Sequence, residues 1–195
     1  MIYLNGKFMP IHEAFVPVLD RGFIFGDGVY EVIPAYSRKL FRLNEHLNRL
    51  QHSLDGAFPV NVTPTVFIMS NPLLPPPATL LGSGVSAITA IDNRWIRCDV
   101  KAISLLPNVL LRQLAIDAHA VETILIRDGF LTEGAASNIF VVKNNVLLAP
   151  PKSNLMLPGI TYDVILELAA THQIPHEVRQ ISETETRNAD EVLLT

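Results

Sequence analysis

Apolar and polar positions change rhythm several times along the chain, and each change marks an element. Ile2-Tyr3-Leu4 and Lys7-Phe8-Met9 flank Asn5-Gly6, a pair that tolerates positive φ and predicts a tight hairpin. Val16 to Asp20 is expected to extend that sheet. Val29-Tyr30-Glu31-Val32-Ile33 reads as a strand, returned through Ser37-Arg38-Lys39 into Leu40-Phe41-Arg42-Leu43. Asn44 suits the N-cap of a helix with Leu47, Leu50 and Leu54 on one face, closed by Asp55-Gly56. Thr65 to Ser70 reads as a further strand. The run Asn71-Pro72-Leu73-Leu74-Pro75-Pro76-Pro77 cannot be helix or central strand, because proline lacks the amide donor.

Beyond that run, Val85 to Ile91 and Val100 to Ser104 are expected as strands, and Pro107-Asn108 opens a helix to about Ala118. Glu122 to Arg127 is a strand ending in the turn Asp128-Gly129. Asn138 to Val142 and Val146 to Ala149 pair across Lys143-Asn144-Asn145. Thr161 is expected to cap a helix through Ala170, with Asp163 in its first turn, and Ser182-Glu183-Thr184-Glu185 is a capping box. Strands and helices mixed in this way give an α+β class. The proline-rich residues 72–78 divide an N-terminal domain, 1–71, from a C-terminal one, 79–195.

Composition narrows the function classes. Hydrophobic residues make up 49% of the chain and charged ones 17%, which is the balance of a packed protein. A net charge of −4 argues against a nucleic-acid surface, which is normally basic. No run approaches the ~18 apolar residues of a membrane span, and the opening Met1-Ile2-Tyr3-Leu4-Asn5 lacks the pattern of a signal peptide. One cysteine, Cys98, cannot form an internal disulfide, so a cytoplasmic location is expected. His172 and His176 are four apart with Pro175 between them, so no metal centre is expected.

The candidate chemistry sits in two segments. Lys101 is flanked by Val100, Ala102, Ile103, Leu105 and Leu106, which should bury it, and a buried amine is driven toward its neutral, nucleophilic form. A lone lysine can equally lie along apolar surface with its head in water. Glu133 follows 133 − 101 = 32 residues later, in Thr132-Glu133-Gly134-Ala135-Ala136-Ser137-Asn138. The small residues leave the backbone open to close approach, and Ser137 and Asn138 add small polar groups; a plain turn glutamate is the alternative. Arg49 in His46-Leu47-Asn48-Arg49-Leu50 and Gly159-Ile160-Thr161 ahead of a helix could both address an anion. Either could also be an ordinary helix residue or cap.

Together with Asp27-Gly28-Val29-Tyr30-Glu31 and Leu157-Pro158-Gly159-Ile160-Thr161, these segments resemble the class IV, fold-type IV, aminotransferases, and within them most closely the D-amino-acid aminotransferases. The resemblance implies two α+β domains with pyridoxal 5′-phosphate in the cleft between them, a homodimer, and transfer of an amino group between a D-amino acid and a 2-oxo acid. It implies that Lys101 bonds to the cofactor aldehyde and moves the substrate proton, and that Glu133 pairs with the ring nitrogen. Arg49, Gly159, Ile160 and Thr161 would hold the phosphate, with Ser137 and Asn138 beside the cofactor and Leu157 near its ring. Tyr30 would line the substrate side. Branched-chain L-amino-acid aminotransferases and aminodeoxychorismate lyases share these segments, and an inactive binding module is a third possibility. An internal piece after Gly56 and the C-terminal end of the family pattern are expected to be missing.

Overall fold

The structure is a computed structural model that describes residues 1–55, 62–75 and 77–195. Gly56, the junction Ala57-Phe58-Pro59 and Pro76 of the proline run lie outside the described residues. The chain forms two compact units. Unit 1 is Met1–Pro77 with Ala102–Ser104, and unit 2 is Ala78–Lys101 with Leu105–Thr195.

In unit 1, β1 (Ile2–Leu4) and β2 (Lys7–Met9) form the expected hairpin, with Asn5 at φ 45° and Gly6 at φ 93°. Val16 to Asp20 does not extend it. Asp20 instead caps α1 (Arg21–Phe25) by accepting the Gly22 amide hydrogen at 2.8 Å. The expected strand over 29–33 is not formed; among the described residues only Val29 of this segment makes a bridge, to Ala102. A short hairpin follows, β3 (Ala35–Tyr36) and β4 (Lys39–Leu40), turning at Ser37 and Arg38, both with positive φ. Helix α2 (Leu43–Leu54) begins after Arg42 at φ 49°, so Asn44 lies inside the helix and caps nothing. Its buried positions are His46 and Ser53, while Leu47 and Leu54 are exposed. The helix is turned so that its polar side meets the carboxylate of Glu31. β5 (Phe67–Ile68) is shorter than expected and pairs antiparallel with β1.

Unit 2 opens with α3 (Ala78–Ser83) and β6 (Ala87–Ile91). Val100 to Ser104 is no strand: Lys101 stands in a loop and is half-buried, with Leu106 well exposed. Then come α4 (Leu106–Asp117), β7 (Glu122–Arg127), β8 (Phe130–Gly134), β9 (Ile139–Lys143), β10 (Val146–Ala149), α5 (Ile160–Thr171), β11 (His176–Val178), α6 (Glu183–Arg187) and β12 (Glu191–Leu194). One sheet runs β6-β7-β8, with β6 and β7 parallel. The other runs β11-β10-β9-β12, with β10 and β11 parallel.

Alternation along the strands builds the core. Ile124 and Ile126 of β7 and Leu131 of β8 pack on Ile139 and Val141 of β9, Leu148 of β10 and Ile181, filling the space between the sheets. The other faces receive helices: Leu125 meets Leu111 of α4, and Phe140 and Leu147 meet Tyr162 and Ala169 of α5. Helix, sheet, sheet and helix thus stack around three apolar layers.

The capping box is present in full. Ser182 Oγ accepts the Glu185 amide hydrogen at 3.2 Å and the Ser182 amide donates to Glu185 Oε2 at 3.0 Å. Ser182→Ala should lower stability by about 1 kcal/mol, read as an earlier urea midpoint with an unchanged slope. An unshifted midpoint would show that the cap contributes nothing.

Candidate active site

Strand β8 delivers Glu133 to the interior of unit 2, so this residue lies on a strand and not in the turn its small neighbours suggested. The turn comes after it and is organised by a second buried carboxylate, Glu122. Glu122 accepts hydrogens from the amides of Thr123 at 2.8 Å, Ala135 at 3.1 Å and Ala136 at 3.3 Å, and from Ser137 Oγ at 2.7 Å. A Cβ on Gly134 would stand 2.5 Å from Ser137 Oγ and 3.0 Å from the Glu122 carboxyl carbon, so only glycine closes the turn this tightly.

Glu133 is 5% exposed and accepts three hydrogen bonds. Arg94 Nη1 donates to Oε1 at 2.6 Å; Asn138 Nδ2 at 3.2 Å and the Leu157 amide at 3.1 Å both donate to Oε2. A carboxylate offers about four acceptor positions, so one remains, on Oε1. Burial pushes this carboxyl up to about 7, outweighing the pull of the Arg94 guanidinium. The outcome is a desolvated carboxylate one donor short of full pairing.

Asn138 ties the cluster together. Its Nδ2 also donates to the Leu157 carbonyl at 3.0 Å, and its side-chain oxygen occupies the space a Cβ at 159 would need. Gly159 is therefore required where it stands, and it is the N-cap of α5. Thr161 is not the cap; it lies exposed in the first turn. A cap without a side chain leaves the amides of Ile160 and Thr161 with no partner inside the helix, at its positive end. The loop carrying Lys101 is drawn toward the same region. The Cys98 amide donates to the Asn154 carbonyl at 2.8 Å, and Asn154 Nδ2 donates to the Ile96 carbonyl at 2.7 Å. Burial pushes the Cys98 thiol up to about 11, which removes it as a nucleophile.

Unit 1 carries a separate charged cluster. Arg49 donates from Nε to Glu31 Oε2 at 2.9 Å and from Nη2 to Oε1, and His46 Nδ1 lies 2.9 Å from Oε1. Against burial, which raises it, the bonds from Arg49 and His46 hold the Glu31 carboxyl below its ordinary value. Burial, aided by the charge of Glu31, raises the Tyr30 phenol.

The structure thus brings Glu133, Asn138, Leu157 and Gly159 into one cluster, whereas Ser137 is drawn to Glu122. Tyr30 and Arg49 belong to unit 1. Sequence reasoning did not pick out Asp92, Arg94, Glu122 or Glu31. Arg94 left a faint signal, an arginine two residues from an aspartate directly after an apolar strand, which is where a buried ion pair can form.

Residues 55–195 match the family described as amino-transferase class IV. The D-alanine aminotransferase of Bacillus licheniformis is 37% identical, over all of this chain and 83% of its own length. The 195 residues spread over 237 aligned positions, so 237 − 195 = 42 of them have no counterpart here. The branched-chain amino acid aminotransferase of Escherichia coli superposes with a TM-score of 0.80 at 26% identity, covering 100% of this chain and 81% of that one. A hypothetical aminotransferase of Mycobacterium tuberculosis in a PLP-bound form shares the fold with a TM-score of 0.86 at 20% identity, over 100% of this chain and 86% of that one.

Proposed function

The chain belongs to the class IV aminotransferases, and on that basis we propose that it transfers the amino group of a D-amino acid, such as D-alanine, to a 2-oxo acid with pyridoxal 5′-phosphate as cofactor. The observation that carries the reading is Glu133: a carboxylate buried away from water, with one acceptor position left over, suits a protonated ring nitrogen. That the Bacillus licheniformis relative matched along the whole chain is a D-alanine aminotransferase supports the substrate class.

Bound cofactor supplies an aldehyde carbon that bonds to amines and a ring that draws electrons from the substrate's Cα. The residues of the chain do the rest. Lys101 is the amine that anchors the cofactor, and its Nζ takes the proton from the substrate's Cα and returns it on the other side of the reaction. Glu133 keeps the proton on the ring nitrogen. The amides of Ile160 and Thr161, which Gly159 leaves uncovered, are suited to the phosphate, and the resemblance assigns Arg49 to the same group. Leu157 packs beside the ring, Asn138 holds Glu133 and the Leu157 segment in register, and Tyr30 lines the substrate side. We further propose a homodimer acting in the cytoplasm. The exposed Phe8, Phe15, Phe23 and Phe25 of unit 1 support an assembly, and a lone buried cysteine fits a reducing compartment. Among the described residues no helix is long and apolar enough to cross a membrane.

The test is the visible absorption of the purified chain after adding pyridoxal phosphate, followed with D-alanine and 2-oxoglutarate. A band that appears, moves on addition of D-alanine and accompanies pyruvate formation is expected. Movement with L-leucine and not D-alanine would make it a branched-chain enzyme. Turnover of aminodeoxychorismate alone would make it the lyase, and colour without any transfer a binding module.

A further inference from the structure

Glu133 is met by a guanidinium that has an anchor of its own. Arg94 donates from Nε to Asp92 Oδ1 at 2.9 Å and from Nη2 to Asp92 Oδ2 at 3.0 Å, a two-armed grip that fixes the plane of the group. Asp92 is held in turn by Thr132 Oγ1 at 3.0 Å and Arg127 Nη2 at 3.0 Å. With two nitrogens committed, Nη1 is aimed at Glu133 Oε1, 2.6 Å away. The side chains of Asp92 and Arg94 are 0% and 4% exposed, so little water competes for these bonds. A lysine could bring the charge but could not grip Asp92 with two arms and Glu133 with a third.

We infer that Arg94 is the positioning residue of the site: anchored on Asp92, it fixes the direction and the charge of the Glu133 carboxylate that faces the cofactor ring. The inference rests on the reading of Glu133 given above. The charged and titratable groups around Glu133 are Arg94 and Asp92 from the segment after β6, Arg127 from the end of β7 by way of Asp92, and Cys98 from the loop that follows. Arg94 is the cation among them that touches the carboxylate, and it opposes the upward push of burial.

The full chain, labelled with ¹³C in its glutamate carboxyls, is titrated by NMR without cofactor, the Glu133 resonance being assigned by its loss in Glu133→Gln. The parent should titrate near 7. Arg94→Gln should raise that midpoint by about 1–3 pH units, the effect of removing an adjacent opposite charge. Arg94→Lys should raise it less, keeping charge without the fork. Trp95, the one tryptophan and the neighbour of Arg94, reports pyridoxal phosphate binding by its fluorescence. At pH values below the parent's own midpoint, the Kd should weaken about tenfold for every pH unit the midpoint has moved. No such loss should follow Arg94→Gln in a Glu133→Gln background. An unmoved midpoint overturns the inference, as does a moved midpoint with unchanged affinity. A chain that binds no pyridoxal phosphate at all overturns the functional reading instead, and the carboxyl midpoints still decide whether Arg94 governs Glu133. Should Arg94→Gln fail to fold, Arg94→Lys and Asp92→Asn carry the same comparison.

Discussion

Lys101→Ala should abolish amino transfer between D-alanine and 2-oxoglutarate while leaving the fold intact. Two losses combine. On the proposed mechanism, the amine that would move the proton at the substrate's Cα is gone, and a positioned acid-base group alone is worth about 10²–10⁴ in rate. The proposed covalent anchor of the cofactor goes with it. The position itself predicts a small effect on stability, because Lys101 is half-buried in a loop and contributes to none of the three apolar layers of unit 2. A drop in turnover with an unchanged urea midpoint is therefore the expected pair of results. Added methylamine, small enough to enter the space of the lost side chain, should restore part of the turnover. If the variant keeps both the visible band of the parent and its turnover, Lys101 is not the reacting amine.

The elements read correctly from the sequence are those specified by neighbours in the chain. Glu122 to Arg127 is a run of β-branched and aliphatic residues bounded by a helix end and Asp128-Gly129, and it is a strand over that span. Ser182 and Glu185 need only each other, and their box formed as expected. The misread segments are those decided at a distance. Residues 29–33 alternate like a strand, yet Glu31 is claimed by Arg49 and His46 of α2, fifteen to eighteen residues away, and the segment makes only one bridge among the described residues. Val100 to Ser104 is apolar enough for a strand but has no ladder partner beyond Val29 among the described residues. Asn44 is a good cap by composition, but the chain had already turned into the helix at Arg42, in a left-handed conformation.

The candidate site divides in the same way. Lys101, Glu133 and Gly159 stand out through the segments that resemble the class IV aminotransferases, since each taken alone allows an ordinary reading. Arg94 could not, since its meaning lies in a partner 39 residues on. Glu122 could not either, because its role is to hold a turn 13 to 15 residues away. Buried polar networks are written in pairs of positions, and a single sequence records each member without its mate.

Removing Glu133 tests that network most severely. Glu133→Ala leaves the Arg94 guanidinium, 4% exposed, with Asp92 as its remaining anion. Breaking a buried pair by deleting one partner typically costs about 3–5 kcal/mol, and the lower end is expected because Asp92 keeps both of its bonds. Turnover should fall as well, since nothing would then hold the proton on the cofactor ring. Glu133→Gln separates charge from shape through the pH dependence of the cofactor-free chain. The folded carboxyl, raised by burial to about 7, lies above its ordinary 4.5, so between those values the native state binds more protons than the unfolded one. Its contribution to stability is complete below 4.5 and is lost as pH rises through 7, about 1.4 kcal/mol for each pH unit crossed. Urea unfolding at pH 5, 6, 7 and 8 should show the parent weakening across this window and Glu133→Gln weakening less. Parallel stability curves would mean that the Glu133 carboxyl is already ionised throughout, with Arg94 dominating over burial.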